Sequence, residues 1–243
     1  MQNILFGTSY LGTNYAGWQR QNNALGIQEV IENALEEICG QKIEIFASGR
    51  TDAGVHAFEQ CFSAKLNFKE VKKLPNALNA KLPEDIRILW AKEVDDNFHA
   101  RFSAHKKTYI YRIKTEYIES PFDSFITTYL SFNLNLEKMQ QAAKLFIGQH
   151  NFKAFCSANT SCQDFVREIY SLNIQRQGQL YEFEICGNGF LYNMVRIIVG
   201  TLVDVGRGRL TTENVQQLLN GNERKNAGKT MPAKGLILKN VEY

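Results

Sequence analysis

One acidic residue stands in a short polar loop between two stretches that predict β-strands. The loop reads Ser48-Gly49-Arg50-Thr51-Asp52-Ala53-Gly54 and continues into Val55-His56-Ala57. Small residues and glycines keep such a loop compact, so the Asp52 carboxylate would be exposed at the end of a sheet. An ionised carboxylate there can act as a nucleophile or as a proton acceptor. The simpler alternative is that Asp52 accepts hydrogen bonds from the amides of its own turn.

A cation lies in a second segment that is otherwise apolar. Residues 190–205 predict a helix that is apolar over most of its circumference, and Arg196 projects from it. An unpaired buried charge is very costly, so this guanidinium needs a partner. One alternative is a structural ion pair, for which Asp204 is a candidate partner although it lies on a different side of the helix. The other is that Arg196 orients a catalytic acid.

A third segment interleaves basic and aromatic residues. It reads Asn97-Phe98-His99-Ala100-Arg101-Phe102-Ser103-Ala104-His105-Lys106-Lys107-Thr108-Tyr109. Basic side chains can contact phosphates and aromatic rings can stack on bases, which suits an RNA-binding segment. Taken alone, the same run also fits a solvated stretch that leads into a strand.

The hydrophobic pattern around these segments predicts the elements that must position them. The predicted strands cover residues 4–10, 43–47, 60–66, 87–94, 107–114, 166–175, 180–186 and 236–241. The predicted helices cover residues 27–38, 136–146, 190–205 and 211–219, and Gly40 closes the first as a left-handed cap. Strands and helices are interleaved in both halves with hairpins and crossovers. We therefore expect an α+β fold with a mixed, mostly antiparallel sheet.

Composition excludes several classes of protein. The chain has 243 residues, of which 44% are hydrophobic and 22% charged, as in ordinary globular proteins of one or two domains. No run approaches the roughly 20 apolar residues that span a bilayer, and the N-terminus lacks the features of a signal peptide. We expect a cytoplasmic protein without membrane contact. The net charge of +3 permits a nucleic-acid partner without requiring one.

Metal chemistry is not expected from the cysteines and histidines. The five cysteines are odd in number and form no C-x-x-C pair, and the four histidines show no H-x-x-x-H spacing. We expect neither a disulfide framework nor a metal site.

The sequence around Asp52 resembles the tRNA pseudouridine synthase A family. Gly49–Ala57, which reads GRTDAGVHA, matches the signature of that family. Further matching blocks follow in family order along essentially the whole chain: Tyr10–Gln19, Phe98–Tyr111, Gly148–Phe152, Gly189–Arg196 and Pro232–Leu236. One departure is Leu11, which stands where the family usually has Asp.

The resemblance implies both an activity and a fold. Family members isomerise uridine to pseudouridine at positions 38, 39 and 40 in the anticodon stem-loop of tRNA. They act as homodimers and need no cofactor and no metal. The implied fold has two similar α/β lobes around a continuous mixed, mostly antiparallel sheet with a central cleft. We place the N-terminal lobe, with the Asp52 loop, at residues 1–105 and the C-terminal lobe at residues 106–243.

The resemblance also implies roles for single residues. Asp52 corresponds to the nucleophile, and Arg196 corresponds to the basic residue paired with it. Tyr109 corresponds to the aromatic residue that packs on the target base, and Arg50 helps to hold that base out of the stack. An RNA-contacting stretch corresponds to Phe98, His99, Ala100, Arg101 and Phe102.

Two other functions are alternatives. A non-catalytic RNA-binding module on the same scaffold would be expected to lack the acid or the arginine, and both are present. A glycosidase would need a second carboxylate about 5–10 Å from Asp52. Glu59, the nearest acid in sequence, lies seven residues further along, or roughly 20 Å on an extended strand. Three routes stay open for Asp52: addition to C6 of the base, attack on C1′, or abstraction of the C2′ proton.

Overall fold

A computed structural model describes residues 1–157, 162–221 and 223–243 of the chain. The strands are β1 (Gln2–Tyr10), β2 (Ile45–Ala47), β3 (His56–Leu66), β4 (Ile86–Val94), β5 (Lys106–Lys114), β6 (Thr128–Tyr129), β7 (Gly148–Asn151), β8 (Val166–Gln177), β9 (Leu180–Gly187) and β10 (Leu236–Glu242). The helices are α1 (Ile27–Cys39), α2 (Leu74–Asn79), α3 (Leu136–Ala143), α4 (Met194–Gly206) and α5 (Thr212–Leu219). Within the described ranges, no helix has the length and apolar character needed to cross a membrane.

The chain divides into two compact units. The first comprises Met1–His105 and Ile237–Tyr243, and the second comprises Lys106–Leu236. The sequence predicts lobes of residues 1–105 and 106–243, and the structure departs from this at the C-terminus. Residues 237–243 belong to the first unit because β10 pairs in parallel with β3.

The sheet of the first unit is organised around β3. Strand β1 lies between β3 and β4 and is antiparallel to both. On its other side, β3 pairs in parallel with β10 at His56 and in antiparallel fashion with β2 at Ala64. Because β2 and β3 are neighbours in the sheet, the Asp52 loop that joins them has both of its ends fixed by strand pairing.

Helix α1 follows the amphipathic pattern of the sequence. It buries Ile27, Ile31, Ala34 and Leu35 and ends at Gly40, whose φ of 69° lies in the left-handed region, so both predictions are confirmed. The carboxylate of Glu32 ties the helix to β2, because it accepts a hydrogen bond from the Ile45 amide (3.3 Å) and pairs with Arg20 (2.9 Å). The strand that leads into the Asp52 loop is thereby attached to α1.

The sheet of the second unit is antiparallel apart from one short pair. Strand β9 lies between β5 and β8, and β7 pairs with the far side of β8. Strand β6 pairs in parallel with the end of β5. Together with the first unit, this confirms the prediction of an α+β protein with mixed, mostly antiparallel strand pairing.

Helix α4 begins later than the sequence predicts. It starts at Met194 rather than at residue 190, because Asn193 has a φ of 61° and a right-handed helix cannot continue through that conformation. The helix is buried on most sides, as predicted. At Gly200 an added Cβ would lie 1.9 Å from the carbonyl oxygen of Lys229, so that segment packs directly against the helix backbone.

Three short elements are not predicted by the sequence pattern. They are α2 with six residues, β6 with two and β7 with four. Segments this short contain too few residues for a period of 3.6 or 2 to be recognised.

Candidate active site

The residue before Asp52 is held from two directions in the first unit. The main-chain carbonyl of Thr51 accepts a hydrogen bond from the Trp18 amide (3.0 Å), and its side-chain hydroxyl is bonded to the Tyr10 hydroxyl (2.8 Å). Thr51 is buried, and Asp52 is half-buried. The Val55 amide donates to the Asp52 carbonyl (3.1 Å), which closes the turn. The backbone that carries the carboxylate is therefore fixed on both sides of Asp52.

The Tyr10–Gln19 block packs against the backbone of the Asp52 loop through two glycines. A Cβ on Gly17, which has a φ of 96°, would lie 2.6 Å from the Thr51 carbonyl oxygen, and a Cβ on Gly12 would lie 2.0 Å from that of Val55. The Gly12 amide also donates to Nδ1 of the buried His56 (3.0 Å), so that nitrogen is the acceptor of the ring. Only glycine allows these close approaches.

The base of the loop is held by a buried carboxamide. Gln60 on β3 is fully buried, and its Nε2 donates to the Gly49 carbonyl (2.9 Å). Its Oε1 accepts from the Cys61 amide (3.1 Å) and is hydrogen-bonded to the Ser48 hydroxyl. Arg50, between this base and Thr51, is exposed.

Residues 98–102 form a turn that belongs to the same unit. The Asn3 side chain donates to the Phe98 carbonyl (2.9 Å), and the Ala100 amide donates to the Ser63 hydroxyl (3.3 Å). Ala100 is fully buried, so its side chain contributes packing rather than a contact surface. Phe102, by contrast, is 76% exposed.

The exposed side of this turn carries three aromatic rings in tilted contact and a cation. The ring of His99 lies 4.5 Å from that of Phe102 and 5.3 Å from that of Phe46 on β2. The Arg101 guanidinium lies 5.7 Å from the centre of the Phe102 ring. Three contiguous rings beside a guanidinium offer the surface on which unpaired bases stack.

A groove of about 460 Å³ opens beside these rings. Its charged side chains have both signs: Lys42, Lys65, Glu44 and Asp96. Because charges of both signs line it, the groove itself would not select a polyanion.

Tyr109 lies on β5 in the second unit, opposite Ile185 of β9. It is half-buried, and its ring makes an edge-to-face contact with Phe190 at a centroid distance of 5.2 Å. Phe190 belongs to the block that precedes α4, so the geometry links Tyr109 to the segment that carries Arg196.

Arg196 is half-buried on α4, and hydrogen bonds orient its guanidinium. Its Nε donates to the Met231 carbonyl (2.6 Å), and its Nη1 donates to Oδ1 of Asn193 (2.6 Å). Asn193 in turn donates to the Ser157 hydroxyl (2.9 Å). Asp204 pairs with Arg209 (3.8 Å), which agrees with its place on a different side of α4.

The two units divide the sequence-predicted site residues between them. Asp52, Arg50 and the 98–102 turn belong to the first unit, whereas Tyr109 and Arg196 belong to the second. Within the part of the chain that the structure describes, no three His, Cys, Asp or Glu side chains form a group that could hold a metal ion.

Sequence reasoning missed Gln60 and Asn193. A signal exists for Gln60, because an amide directly before the apolar pair Cys61-Phe62 in a predicted strand needs buried hydrogen-bond partners. Asn193 is harder to recognise from the sequence, because its left-handed backbone is visible only in the structure. Gln60 holds the backbone of the Asp52 loop, and Asn193 holds the Arg196 guanidinium. Both residues therefore support predicted site residues rather than contact the substrate.

Comparison with known proteins gives consistent matches. Residues 8–103 and 142–243 match the sequence model of a family described as tRNA pseudouridine synthase. A tRNA pseudouridine synthase A from Thermoanaerobacter sp. (strain X514) is 42% identical over 244 residues, with all of both chains covered. A protein of the same name from Bacillus pumilus (strain SAFR-032) is 44% identical over 239 residues, covering 97% of this chain and 96% of the relative.

Among solved structures, one chain of a crystal structure of a Cbf5-Nop10-Gar1 complex aligns with a TM-score of 0.41 and 12% identity. The alignment covers 97% of this chain and 49% of the solved one, so this chain spans about half the length of that match.

An α+β fold that presents an aspartate in a GRTDAGVHA loop, together with this family match, defines a pseudouridine synthase. The chain belongs to the tRNA pseudouridine synthase family.

Proposed function

We propose that this protein isomerises uridine to pseudouridine at positions 38, 39 and 40 in the anticodon stem-loop of tRNA, with Asp52 as the nucleophile. The observation that carries the proposal is the Asp52 loop itself, whose backbone is fixed at Gly49, Thr51 and Asp52 by hydrogen bonds. A fixed backbone places the carboxylate before the substrate arrives, which lowers the cost of reaching the reactive geometry.

The reaction breaks the N1–C1′ bond of the uridine, turns the base and forms a C5–C1′ bond. C5 loses its proton and N1 gains one, so the product is an isomer of the substrate. The base edge is inaccessible inside a stacked stem, so the uridine must be flipped out first. The three routes considered for Asp52, at C6, C1′ or the C2′ proton, all use the carboxylate in its ionised form.

Two residues are proposed to hold the flipped uridine. Tyr109 would pack on the base, and Arg50 would occupy the space that the base leaves. Flipping costs a few kcal/mol, and stacking on an aromatic side chain returns about 1–3 kcal/mol per base. The half-buried ring of Tyr109, supported edge-on by Phe190, and the exposed Arg50 suit these roles.

Arg196 is proposed as the basic partner of the Asp52 carboxylate. The hydrogen bonds to Met231 and Asn193 support this role, because they fix the direction of the guanidinium. A guanidinium whose direction is fixed loses little entropy when it pairs with a carboxylate.

The direct test is tritium release from tRNA transcripts labelled at C5 of uridine. Separate transcripts with uridine at position 38, 39 or 40 alone should each release tritium, and a transcript without uridine at these positions should not. Binding without tritium release would favour the RNA-binding module, and release of free uracil would favour the glycosidase. We place this activity in the cytoplasm, as part of the same proposal.

The rings on the 98–102 turn are proposed to contact the same tRNA. Phe102→Ala should weaken tRNA binding about tenfold, or ~1.4 kcal/mol, because one stacking surface is lost. Filter binding at fixed salt measures the Kd. Leu89→Ala, which truncates another exposed side chain of the first unit, is the control and should leave the Kd unchanged. An equal Kd for Phe102→Ala and wild type would remove the turn from the RNA interface.

A homodimer is proposed as the active assembly. The loop between β5 and β6 supports this, because it exposes apolar side chains close together in sequence: Tyr117 (87%), Ile118 (81%), Phe122 (96%) and Phe125 (55%). Exposed apolar clusters of this kind are typical of protein–protein contacts.

The dimer proposal predicts that a charge in this loop weakens association. Phe122→Asp should convert the dimer to a monomer at micromolar concentration, measured by light scattering after gel filtration. Leu89→Asp adds the same charge at an exposed position of the first unit and should remain dimeric. An unchanged mass for Phe122→Asp would show that the β5–β6 loop does not form the contact.

A further inference from the structure

Two buried side chains and one half-buried side chain of the first unit connect the Asp52 loop with the 98–102 turn. They are Ser48, Gln60 and Tyr243, and we name them the inner brace. The roles proposed so far use only the hydrogen bond from Gln60 to the Gly49 carbonyl. Gln60 is a fully buried polar residue, which is costly unless its carboxamide is satisfied.

The Gln60 end of the inner brace touches the loop backbone. Its Nε2 donates to the Gly49 carbonyl (2.9 Å), three residues before Asp52. Its Oε1 is bonded to the Ser48 hydroxyl and accepts from the Cys61 amide, and the Ser48 amide donates to the Cys61 carbonyl (2.8 Å). One carboxamide thus fixes the start of the loop against β3.

The Tyr243 end touches the turn. Its ring packs against that of Phe98 at a centroid distance of 5.0 Å. Its hydroxyl is buried beside the Cys61 thiol and the Ser48 hydroxyl, without a hydrogen bond of standard geometry. Burial, followed by the nearby Cys61 thiol, raises the pKa of Tyr243, and burial raises the pKa of Cys61 to about 12.

These contacts form one continuous path. It runs from Phe98 in the turn through the Tyr243 ring to Ser48, then through Gln60 to the Gly49 carbonyl. A tilt of the Tyr243 ring would therefore displace both the turn and the base of the loop, because Ser48 and Gln60 are fully buried and side chains at native packing density have little room to absorb a shift.

We propose that the inner brace is a positioning device, which holds the 98–102 turn and the Asp52 loop in fixed register so that RNA contact and carboxylate placement depend on the same side chains. This inference rests on the proposed function, since it assigns the consequence to Asp52. Ser48, Gln60 and Tyr243 are positioning residues, and none of them is expected to touch the substrate.

The experiment uses the full chain with Gln60→Met, Tyr243→Leu, Tyr243→Phe and the double variant Gln60→Met/Tyr243→Leu. Gln60→Met keeps the length and approximate volume of the side chain but removes its hydrogen bond to the Gly49 carbonyl. Tyr243→Leu removes the ring that contacts Phe98, and Tyr243→Phe removes only the hydroxyl. Thr8→Val is the control, because it removes a buried hydroxyl bonded to the Arg87 carbonyl (3.1 Å) on the β1–β4 side of the same unit.

The brace predicts a distinct pattern of kinetic constants. Gln60→Met should lower kcat about 10- to 100-fold, since a misplacement of about 1 Å can cost 100-fold, while the Kd for tRNA changes less than about threefold. Tyr243→Leu should lower kcat and also weaken the Kd, and Tyr243→Phe should lower kcat less, because it keeps the ring against Phe98 and loses only the hydroxyl beside Ser48. The double variant should lose less kcat than the product of the single losses, because both changes act through one loop.

Hydrogen exchange supplies a readout that needs no catalysis. Peptides covering residues 48–57 and 96–104 should exchange faster in Tyr243→Leu, and residues 48–57 should do so in Gln60→Met. Thr8→Val should lower Tm without either change. If Gln60→Met does not fold, the Tyr243 variants carry the same test.

The outcomes separate the brace from the proposed function. Wild-type kcat and unchanged exchange in variants whose Tm has fallen would overturn the brace and leave a purely structural role. Absence of tritium release from the wild type would overturn the proposed function, and the brace would then be judged by exchange in the loop and turn.

Discussion

Asp52→Asn should reduce tritium release from C5-labelled tRNA by at least about 10⁴-fold, as removal of a catalytic nucleophile does in other enzymes. Asn has nearly the same shape as Asp, but its neutral amide cannot attack carbon or accept a proton as a carboxylate does. The loop should keep its geometry, because Asn has the shape of Asp and the hydrogen bonds to the carbonyls of Gly49 and Thr51 remain. The Kd for tRNA should therefore change less than about threefold.

Single-turnover assays with excess enzyme measure this loss without interference from product release. Glu37→Gln is the matched control, since it neutralises an exposed carboxylate on α1, paired with Lys81 at 3.0 Å, in the same unit. It should react at the wild-type rate. Activity in Asp52→Asn above about a hundredth of wild type would remove Asp52 from the role of nucleophile and favour another acid in the site.

The elements that could be predicted are those whose pattern is local. The stripe of apolar residues in α1 and the glycine after it specify where the helix lies and where it ends, and Gly40 has the expected left-handed backbone. The strand pair β8–β9 was recognisable for the same reason, because two alternating runs flank a short polar turn with Gly178.

The elements that could not be predicted depend on distant parts of the chain. The pattern of residues 236–241 predicts a strand but cannot show that β10 pairs with β3 in the first unit. The start of α4 depends on the left-handed Asn193, whose side chain also binds Ser157 and Arg196. Such tertiary contacts override the apolar periodicity that extends the helix back to residue 190.

The candidate site shows the same division. The acid and the cation were recognisable by residue type, and the family signature supplied their roles. The residues that support them, Gln60, Met231 and Asn193, were not recognisable from the sequence. They act through side-chain contacts or a carbonyl whose position only the fold determines. Ala100 shows the converse, since a residue inside a basic and aromatic run is fully buried.

Arg196→Lys should lower kcat/KM about 10²- to 10³-fold, comparable to removal of one group that stabilises the transition state. The guanidinium donates through Nε to Met231 and through Nη1 to Asn193, and these bonds set its direction. A lysine ammonium is a point charge without the planar fork, so it cannot reproduce both bonds and still present its charge in the same direction. Arg209→Lys changes an exposed cation near the end of α4 and is the matched control. It should leave kcat/KM unchanged.

The pH profile separates a charge that acts on Asp52 from a merely structural arginine. A nearby cation favours an ionised carboxylate, so its removal in Arg196→Met should favour the protonated acid. The acid limb of kcat/KM should then move to higher pH. Asn193→Gly tolerates the left-handed backbone and retains the Arg196 charge, so it should lower the rate modestly without moving that limb. An unmoved limb in Arg196→Met would contradict the proposed pairing, because the charge would then have no effect on the ionisation of the nucleophile.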